Sequence, residues 1–130
     1  MKYKNNPFNI RYTGQKWQGL SGHRNGFCEF GSLDYGIRAF LILMRSYRRI
    51  HNICTIRKII KRFAPPFEND TSSYITFVCN SCCIPADRYL NFQTQYYMIG
   101  HAMAIMESDT SLLLNEFAVV AEKFDIHIVP

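Results

Sequence analysis

The stretch from Ser32 to Arg49, SLDYGIRAFLILMRSYRR, decides the fold class. Its apolar residues recur at the three- and four-residue spacing of one helix face, while its arginines occupy the other side. The apolar set is Leu33, Ile37, Phe40, Leu41, Met44 and Tyr47. Ser32 suits an N-cap, and Asp34 in the first turn suits the helix dipole. The sequence therefore predicts an amphipathic helix that begins at residue 32 and ends near residue 49.

Four more helices are expected towards the C-terminus. The second begins near Thr55 and ends at Ala64-Pro65-Pro66, because proline cannot continue a helix. The third follows a cap at Asp70 or Thr71, the fourth covers about residues 94–107, and the fifth about residues 111–124.

Residues 1–31 have a different character from this helical core. They are dense in asparagine, glycine and aromatic residues, with turn signals between short apolar pieces and a candidate strand at Phe27–Phe30. We therefore predict a mainly α protein of one domain, residues 1–130. It consists of an irregular or β-hairpin lobe, residues 1–31, in front of a helical core, residues 32–130.

The net charge of +5 is concentrated in one region. Residues 35–67 contain no acidic residue, and their basic residues are Arg38, Arg45, Arg48, Arg49, Arg57, Lys58, Lys61 and Arg62. Such a patch suits a polyanion such as an anionic wall polymer, a nucleic acid or an acidic membrane, although two solvated helix faces give the same pattern. Without a nucleic-acid-binding motif, no specific nucleic acid is expected as partner.

Several classes of protein are disfavoured by the sequence. No apolar stretch is long enough for a transmembrane helix, and the first residues lack a secretory signal. A substrate outside the cytoplasm is therefore expected to be reached after host lysis, in a virion or through a secretion machine. Five cysteines are an odd number, which disfavours a disulfide framework, and the Cys79-x-x-Cys82 pair lacks two further zinc ligands at suitable spacing. We predict no metal and no cofactor.

Glu107 is the strongest candidate for a catalytic group. Cleavage of a glycosidic bond needs a carboxylic acid that stays protonated near neutral pH, which requires an apolar setting. Helical spacing puts Tyr96, Gly100, Met103 and Ala104 on the face of Glu107, so its pKa is expected to be raised. The small Gly100 and Ala104 are expected to leave room for a sugar. The alternative is an acid exposed at a fraying helix end.

Two other acids are candidates. Glu68 precedes the third helix, where capping and helix-dipole interactions are the favoured explanation for it. Glu29 lies in the candidate strand, whose alternation can turn it towards a cleft as a second carboxylate. Motifs of serine hydrolases, zinc proteases and phosphate-binding loops are absent from the sequence.

Several segments together resemble a family of small phage, prophage and bacterial proteins described as virion structural or lysozyme-like muralytic proteins. The segments are NNPFNIRYTGQKWQGL, FCEFGSLDYGIRAFLILMRSYRR, TIRKIIKRFAPPFENDTSSYI and AMAIMES. This resemblance covers about residues 5–108. It implies a lysozyme-like domain that acts on peptidoglycan.

A weaker resemblance, in permuted order, is to the flagellar-type N-acetylglucosaminidases. Met106-Glu107-Ser108 is similar to the end of their catalytic helix, and Phe8-Asn9-Ile10-Arg11 to a turn that follows it. Asp109 stands where those enzymes have glycine. The resemblance implies that Glu107 is the catalytic acid.

The expected substrate-binding residues are mostly aromatic. They lie in the N-terminal lobe or the first helix, apart from one tyrosine in the fourth helix. Aromatic rings stack on sugars, and amide or guanidinium groups bind acetamido or lactyl groups. The set is Asn9, Arg11, Tyr12, Trp17, Tyr35, Arg38 and Tyr96. Two of these have structural alternatives, because a lone tryptophan is usually core and Arg38 can pair with Glu68 or Glu29.

Two functions follow from the sequence. The first is cleavage of peptidoglycan glycan strands by a muramidase, glucosaminidase or lytic transglycosylase with one dominant glutamic acid. The alternative is a non-catalytic cell-wall-binding or virion structural module.

Overall fold

The computed structural model describes residues 1–65 and 70–130. Five helices and a two-stranded antiparallel hairpin form the described part of the chain, which confirms the mainly α fold class with a hairpin lobe at the N-terminus. The elements are β1 (Leu20–Arg24), β2 (Phe27–Phe30), α1 (Leu33–His51), α2 (Ile56–Phe63), α3 (Thr71–Cys82), α4 (Gln93–Ser108) and α5 (Leu114–Lys123). None of these helices has both the length and the apolar character that crossing a bilayer requires.

The helices begin close to the predicted positions, with two differences. The Thr55 side chain accepts a hydrogen bond from the Lys58 N–H, and the Asp70 side chain accepts one from the Ser73 N–H. Ser32 has the extended backbone of an N-cap but makes no side-chain capping bond. The fifth helix begins at residue 114 rather than 111, because the Glu116 carboxylate accepts a hydrogen bond from the Leu113 N–H and so fixes the first turn there.

The core is centred on a cluster of aromatic rings between α1, α4, α5 and the N-terminal segment. The Phe8 and Phe40 rings stack with centroids 4.2 Å apart, and the Phe117 ring meets Phe40 edge-on at 6.0 Å. Gly100 allows this packing, since a Cβ atom there would lie 2.6 Å from Phe117 and 2.8 Å from Phe40. The expectation that Gly100 and Ala104 leave room for a sugar is therefore wrong: both are buried and make room for core side chains.

A buried side-chain amide joins two backbone segments of the N-terminal lobe. Asn6 is fully buried and its Nδ2 donates to the carbonyls of Ile10 and Cys28, while its Oδ1 accepts from the Ile10 N–H. The lobe then packs on α1 at Gly36, where a Cβ atom would lie 2.0 Å from the Asn5 carbonyl oxygen. Backbone therefore contacts backbone at this point.

We predict that Gly36→Ala destabilises the protein although alanine is the better helix former. The helix gains about 1 kcal/mol from alanine, but the new methyl group meets a backbone oxygen that cannot rotate away, and overpacking costs about 1–3 kcal/mol or more. Thermal unfolding measures the balance. Gly22→Ala is the control, because nothing lies within 4 Å of that position. A Gly36→Ala protein as stable as the control would contradict the close approach.

Candidate active site

A cleft of about 380 Å³ lies between the loop of residues 9–15 and the helices α1, α2 and α4. Its lining residues are Asn9, Ile10, Arg11, Thr13, Gln15, Phe27, Leu43, Tyr47, Phe63, Ala64 and Glu107. A cleft of this volume is in the usual range for a small-ligand site. Of the lining residues in the described part of the chain, Glu107 is the one carboxylic acid.

Glu107 is held where helix α4 meets the N-terminal lobe. Asn9 adopts a left-handed backbone with φ of 50°, and its Nδ2 donates to the Glu107 carbonyl at 2.9 Å and to the carboxyl Oε1 at 3.3 Å. Ser108 Oγ donates to the Pro7 carbonyl at 2.7 Å. The carbonyl of Glu107 is one of the groups that a helix end leaves without an internal partner, so Asn9 both caps the helix and orients the acid.

The surroundings of Glu107 favour its protonated form. Burial raises the pKa of Glu107 above the ordinary glutamate value, in the direction that the apolar helix face predicts. The neighbouring Tyr74 hydroxyl, the Asn9 amide and the positive charge of Arg11 offset part of this rise in pKa. The net result is a half-buried carboxyl group that keeps its proton to a higher pH than a solvated glutamic acid does.

A second, smaller depression of about 210 Å³ also reaches Glu107. It is lined by Asp70, Ser73, Tyr74, Met106 and Glu107. Among the described residues, Glu107 alone belongs to the linings of both the cleft and this depression. The carboxyl group therefore stands at the junction of two concave surfaces.

The other two candidate acids differ from Glu107. The Glu29 carboxylate accepts a hydrogen bond from the Lys4 N–H at 3.0 Å and lies 3.5 Å from Arg24, and these contacts lower its pKa. Glu29 is absent from the described linings of the cleft and the depression. It is an ionised group that joins the hairpin to the N-terminus. Glu68 lies outside the described residues.

Of the expected sugar-binding residues, Asn9 and Arg11 line the cleft and the aromatic ones do not. Tyr12 stacks on His23 at 4.1 Å between ring centroids. Trp17 is half-buried against the core, and its buried Nε1 has no hydrogen-bond partner within the described chain. The Tyr35 ring packs against Gly19, where a side chain would collide with it. Its centroid lies 5.9 Å from the centroid of the Phe124 ring.

Arg38 and Tyr96 also lie away from the cleft lining. The Arg38 guanidinium lies over the Phe124 ring at 5.5 Å, and no ion pair joins it to Glu29 in the described part of the chain. Tyr96 is fully buried, and its hydroxyl accepts a hydrogen bond from Arg48 at 3.2 Å. Tyr96 and Glu107 share one face of α4, as the helical spacing predicted. At Tyr96 this face is buried in the core, and it becomes accessible only near Glu107 at the helix end.

The cleft includes residues that the sequence did not single out, notably Gln15, Tyr47 and Phe63. Gln15 closes the loop by accepting from the Thr13 N–H at 2.7 Å and donating to the Arg11 carbonyl at 3.1 Å. Burial raises the pKa of Tyr47 to about 12, so its phenol stays neutral. Tyr47 and Phe63 belong to apolar helix stripes, and periodicity alone does not separate cleft from core.

No cluster of three or more metal-ligating side chains occurs within residues 1–65 and 70–130. Cys79, Cys82 and Cys83 are free thiols around the end of α3. Burial raises the pKa of Cys82 to about 12, so its thiol stays protonated.

We predict that Glu107→Gln stabilises the folded protein at neutral pH. A carboxyl group whose folded pKa is raised contributes fully below its unfolded pKa and loses that contribution as the pH rises through the folded value. Glutamine does not titrate, so the melting temperature of Glu107→Gln should exceed that of the parent at pH 7–8 and converge with it near pH 4. Glu122→Gln, at an exposed position on α5, is the control. A variant less stable than the parent throughout this range would contradict the burial of the acid.

The chain is related to a phage protein. No protein-family model matches the chain. Protein P5 of Pseudoalteromonas phage PM2 is 38% identical over 114 residues, which span 82% of this chain and 69% of Protein P5. Identity at this level over most of both chains reflects common descent. The chain therefore belongs to the same family as Protein P5 of this phage.

Proposed function

We propose that the protein cleaves glycosidic bonds in the glycan strands of bacterial peptidoglycan, with Glu107 as the general acid. One observation carries the proposal: a half-buried carboxyl group with a raised pKa stands where a cleft and a second depression meet. A glycosidic oxygen lies between two sugars, so an acid that protonates it needs space for a sugar on either side.

The contacts of Glu107 suit this role. The Asn9 side-chain amide donates hydrogen bonds to the carbonyl and the carboxyl group of Glu107. We therefore assign Asn9 the role of a positioning residue rather than a sugar ligand. Arg11 lines the same cleft and lowers the Glu107 pKa by its charge. Its guanidinium matches the lactyl or peptide carboxylates that accompany the sugars of peptidoglycan.

The proposed reaction uses one acid and the substrate's own groups. Glu107 gives its proton to the leaving glycosidic oxygen, the bond to the anomeric carbon breaks, and the bonding electrons leave with that oxygen. The acetamido oxygen or the 6-hydroxyl of the substrate then replaces the enzyme nucleophile that the described cleft lining lacks. Attack by water completes hydrolysis, whereas attack by the 6-hydroxyl gives an anhydro sugar; either attacking hydroxyl returns a proton to Glu107.

The segments that carry the two resemblances meet at this point. The Asn-Pro-Phe-Asn turn lies against the Glu-Ser end of α4 through Asn9, Pro7 and Ser108. The relative from a phage supports delivery of the protein by lysis or in a virion, where a wall-degrading activity has a use.

Part of the basic patch is available for an anionic wall polymer. Arg57 pairs with Asp87 at 2.8 Å, and Arg48 is bound to the Leu90 carbonyl and to Tyr96. Arg45 is half-buried. Four basic residues of α1 and α2 are exposed, namely Arg49, Lys58, Lys61 and Arg62. We propose that these four attract the protein to negatively charged polymers of the wall.

The first test replaces the acid. Glu107→Gln keeps the shape of the side chain and removes its proton, so release of fragments from purified peptidoglycan should fall by about 10²–10⁴-fold or more. The parent should lose activity as the pH rises through the raised Glu107 pKa, because the acid must be protonated. Glu29→Gln is the matched control and should retain activity, since its carboxylate joins the hairpin to the N-terminus. Glu68→Gln should lower the melting temperature more than turnover.

Three results would contradict parts of this assignment. An active Glu107→Gln together with a folded but inactive Glu68→Gln would make Glu68 the acid. Loss of activity in Glu29→Gln alone would make Glu29 the acid. If the parent protein degrades no peptidoglycan tested, a non-catalytic wall-binding or virion structural module replaces the enzyme.

A second test addresses the exposed basic residues. Co-sedimentation with purified cell walls should weaken steeply with salt, because exposed charges are screened over about 8–10 Å at physiological ionic strength. Lys58→Ala/Lys61→Ala should weaken binding at low salt more than Lys2→Ala/Lys16→Ala, which removes the same charge from exposed lysines elsewhere. Salt-independent binding, or equal loss in both double variants, would remove the assignment.

A further inference from the structure

The Tyr74 side chain has an unusual combination of burial and missing partners. Tyr74 lies in the first half of α3 and is 5% exposed. Its hydroxyl oxygen is inaccessible to water and makes no hydrogen bond of ordinary geometry within the described chain. A buried hydroxyl without a hydrogen-bond partner destabilises the folded state, so the position of Tyr74 requires an explanation.

The neighbouring Glu107 explains why a hydroxyl is buried at this position. Tyr74 and Glu107 line the same depression between α3 and α4, two helices that pack closely along the core. Burial and the Glu107 carboxyl together raise the pKa of Tyr74 far above that of a free phenol, so the hydroxyl keeps its proton and can donate it in a hydrogen bond. Asn9 approaches the same carboxyl with its own N–H group.

We propose that the Tyr74 hydroxyl is a positioning group for Glu107. After Glu107 has given its proton to the substrate, the Tyr74 hydroxyl donates a hydrogen bond to the resulting carboxylate. This inference rests on the proposed function of Glu107. A protonated carboxyl is a weaker acceptor than a carboxylate, so the Tyr74 hydroxyl interacts with Glu107 only weakly before proton transfer. Proton transfer makes the carboxylate oxygens strong acceptors. Rotation about the Cγ–Cδ bond of glutamate is only weakly restricted, so one of these oxygens can turn towards Tyr74. Tyr74 keeps its own proton throughout.

The other groups around the carboxyl do not duplicate this donor. Arg11 contributes positive charge from the cleft side, and Asn9 donates one N–H group. Asp70 lines the depression, but its carboxylate accepts hydrogen bonds from the backbone and side chain of Ser73. Tyr74 is thus the neutral hydroxyl donor on the α3 side of Glu107.

Tyr74→Phe tests the inference, because phenylalanine keeps the ring and removes an unbonded oxygen, so folding should survive. The pH titration of the Glu107 carboxyl carbon, followed by ¹³C NMR, should move to higher pH in Tyr74→Phe. On peptidoglycan, kcat should fall roughly 10- to 100-fold, the scale of one hydrogen bond to a charged group, with KM unchanged and the alkaline limb of the pH profile moved upwards. Tyr97→Phe, a buried tyrosine of α4 bound to Gln93, is the control and should leave the Glu107 titration in place.

The two readouts separate this inference from the proposed function. An unchanged Glu107 titration in Tyr74→Phe would overturn the role of Tyr74 whether or not the protein degrades walls. A shifted titration in a protein without wall activity would support the Tyr74–Glu107 pairing while removing the reaction assigned to it. Equal shifts in Tyr74→Phe and Tyr97→Phe would reduce Tyr74 to a packing residue.

Discussion

The site depends on two hydrogen-bonded contacts that join the start of the chain to the end of α4. Asn9 binds the carbonyl and carboxyl of Glu107, and Ser108 binds the carbonyl of Pro7. These residues are about a hundred positions apart in sequence, and the aromatic core beneath them holds the two segments in place through Phe8, Phe40 and Phe117. Without this docking, Glu107 would be an ordinary solvated acid at a helix end, with no reason for a raised pKa.

Burial of this carboxyl connects stability to chemistry. The desolvation that raises the Glu107 pKa disfavours the ionised form, and the folded protein bears that cost at neutral pH. The rest of the fold offsets it: Asn6 satisfies three backbone groups of the lobe, and Gly36 lets the lobe approach α1 at backbone distance. A locally unfavourable acid on a rigid support is the arrangement expected where a group is kept for reactivity.

Periodicity and capping predicted the helices because those signals are local. The stripe from Leu33 to Tyr47 and the caps at Thr55 and Asp70 depend only on neighbouring residues, and the structure has helices at those places. The site depends on long-range packing, and here the sequence was less informative. Tyr96 shares a helix face with Glu107 yet is core, while Tyr47 and Phe63 look like core and line the cleft. The partnership of Asn9 with Glu107 had no local signal, since it requires knowing where the first turn docks.

The proposed reaction requires Glu107 to deliver a proton to a glycosidic oxygen of the cell wall. The most direct measurement is mass spectrometry of the soluble fragments released from purified sacculi by the parent protein and by Glu107→Gln. We expect glycan fragments with new reducing ends or anhydro ends from the parent and almost none from Glu107→Gln. Intact sacculi after treatment with the parent, or the same fragments at the same rate from both proteins, would contradict it.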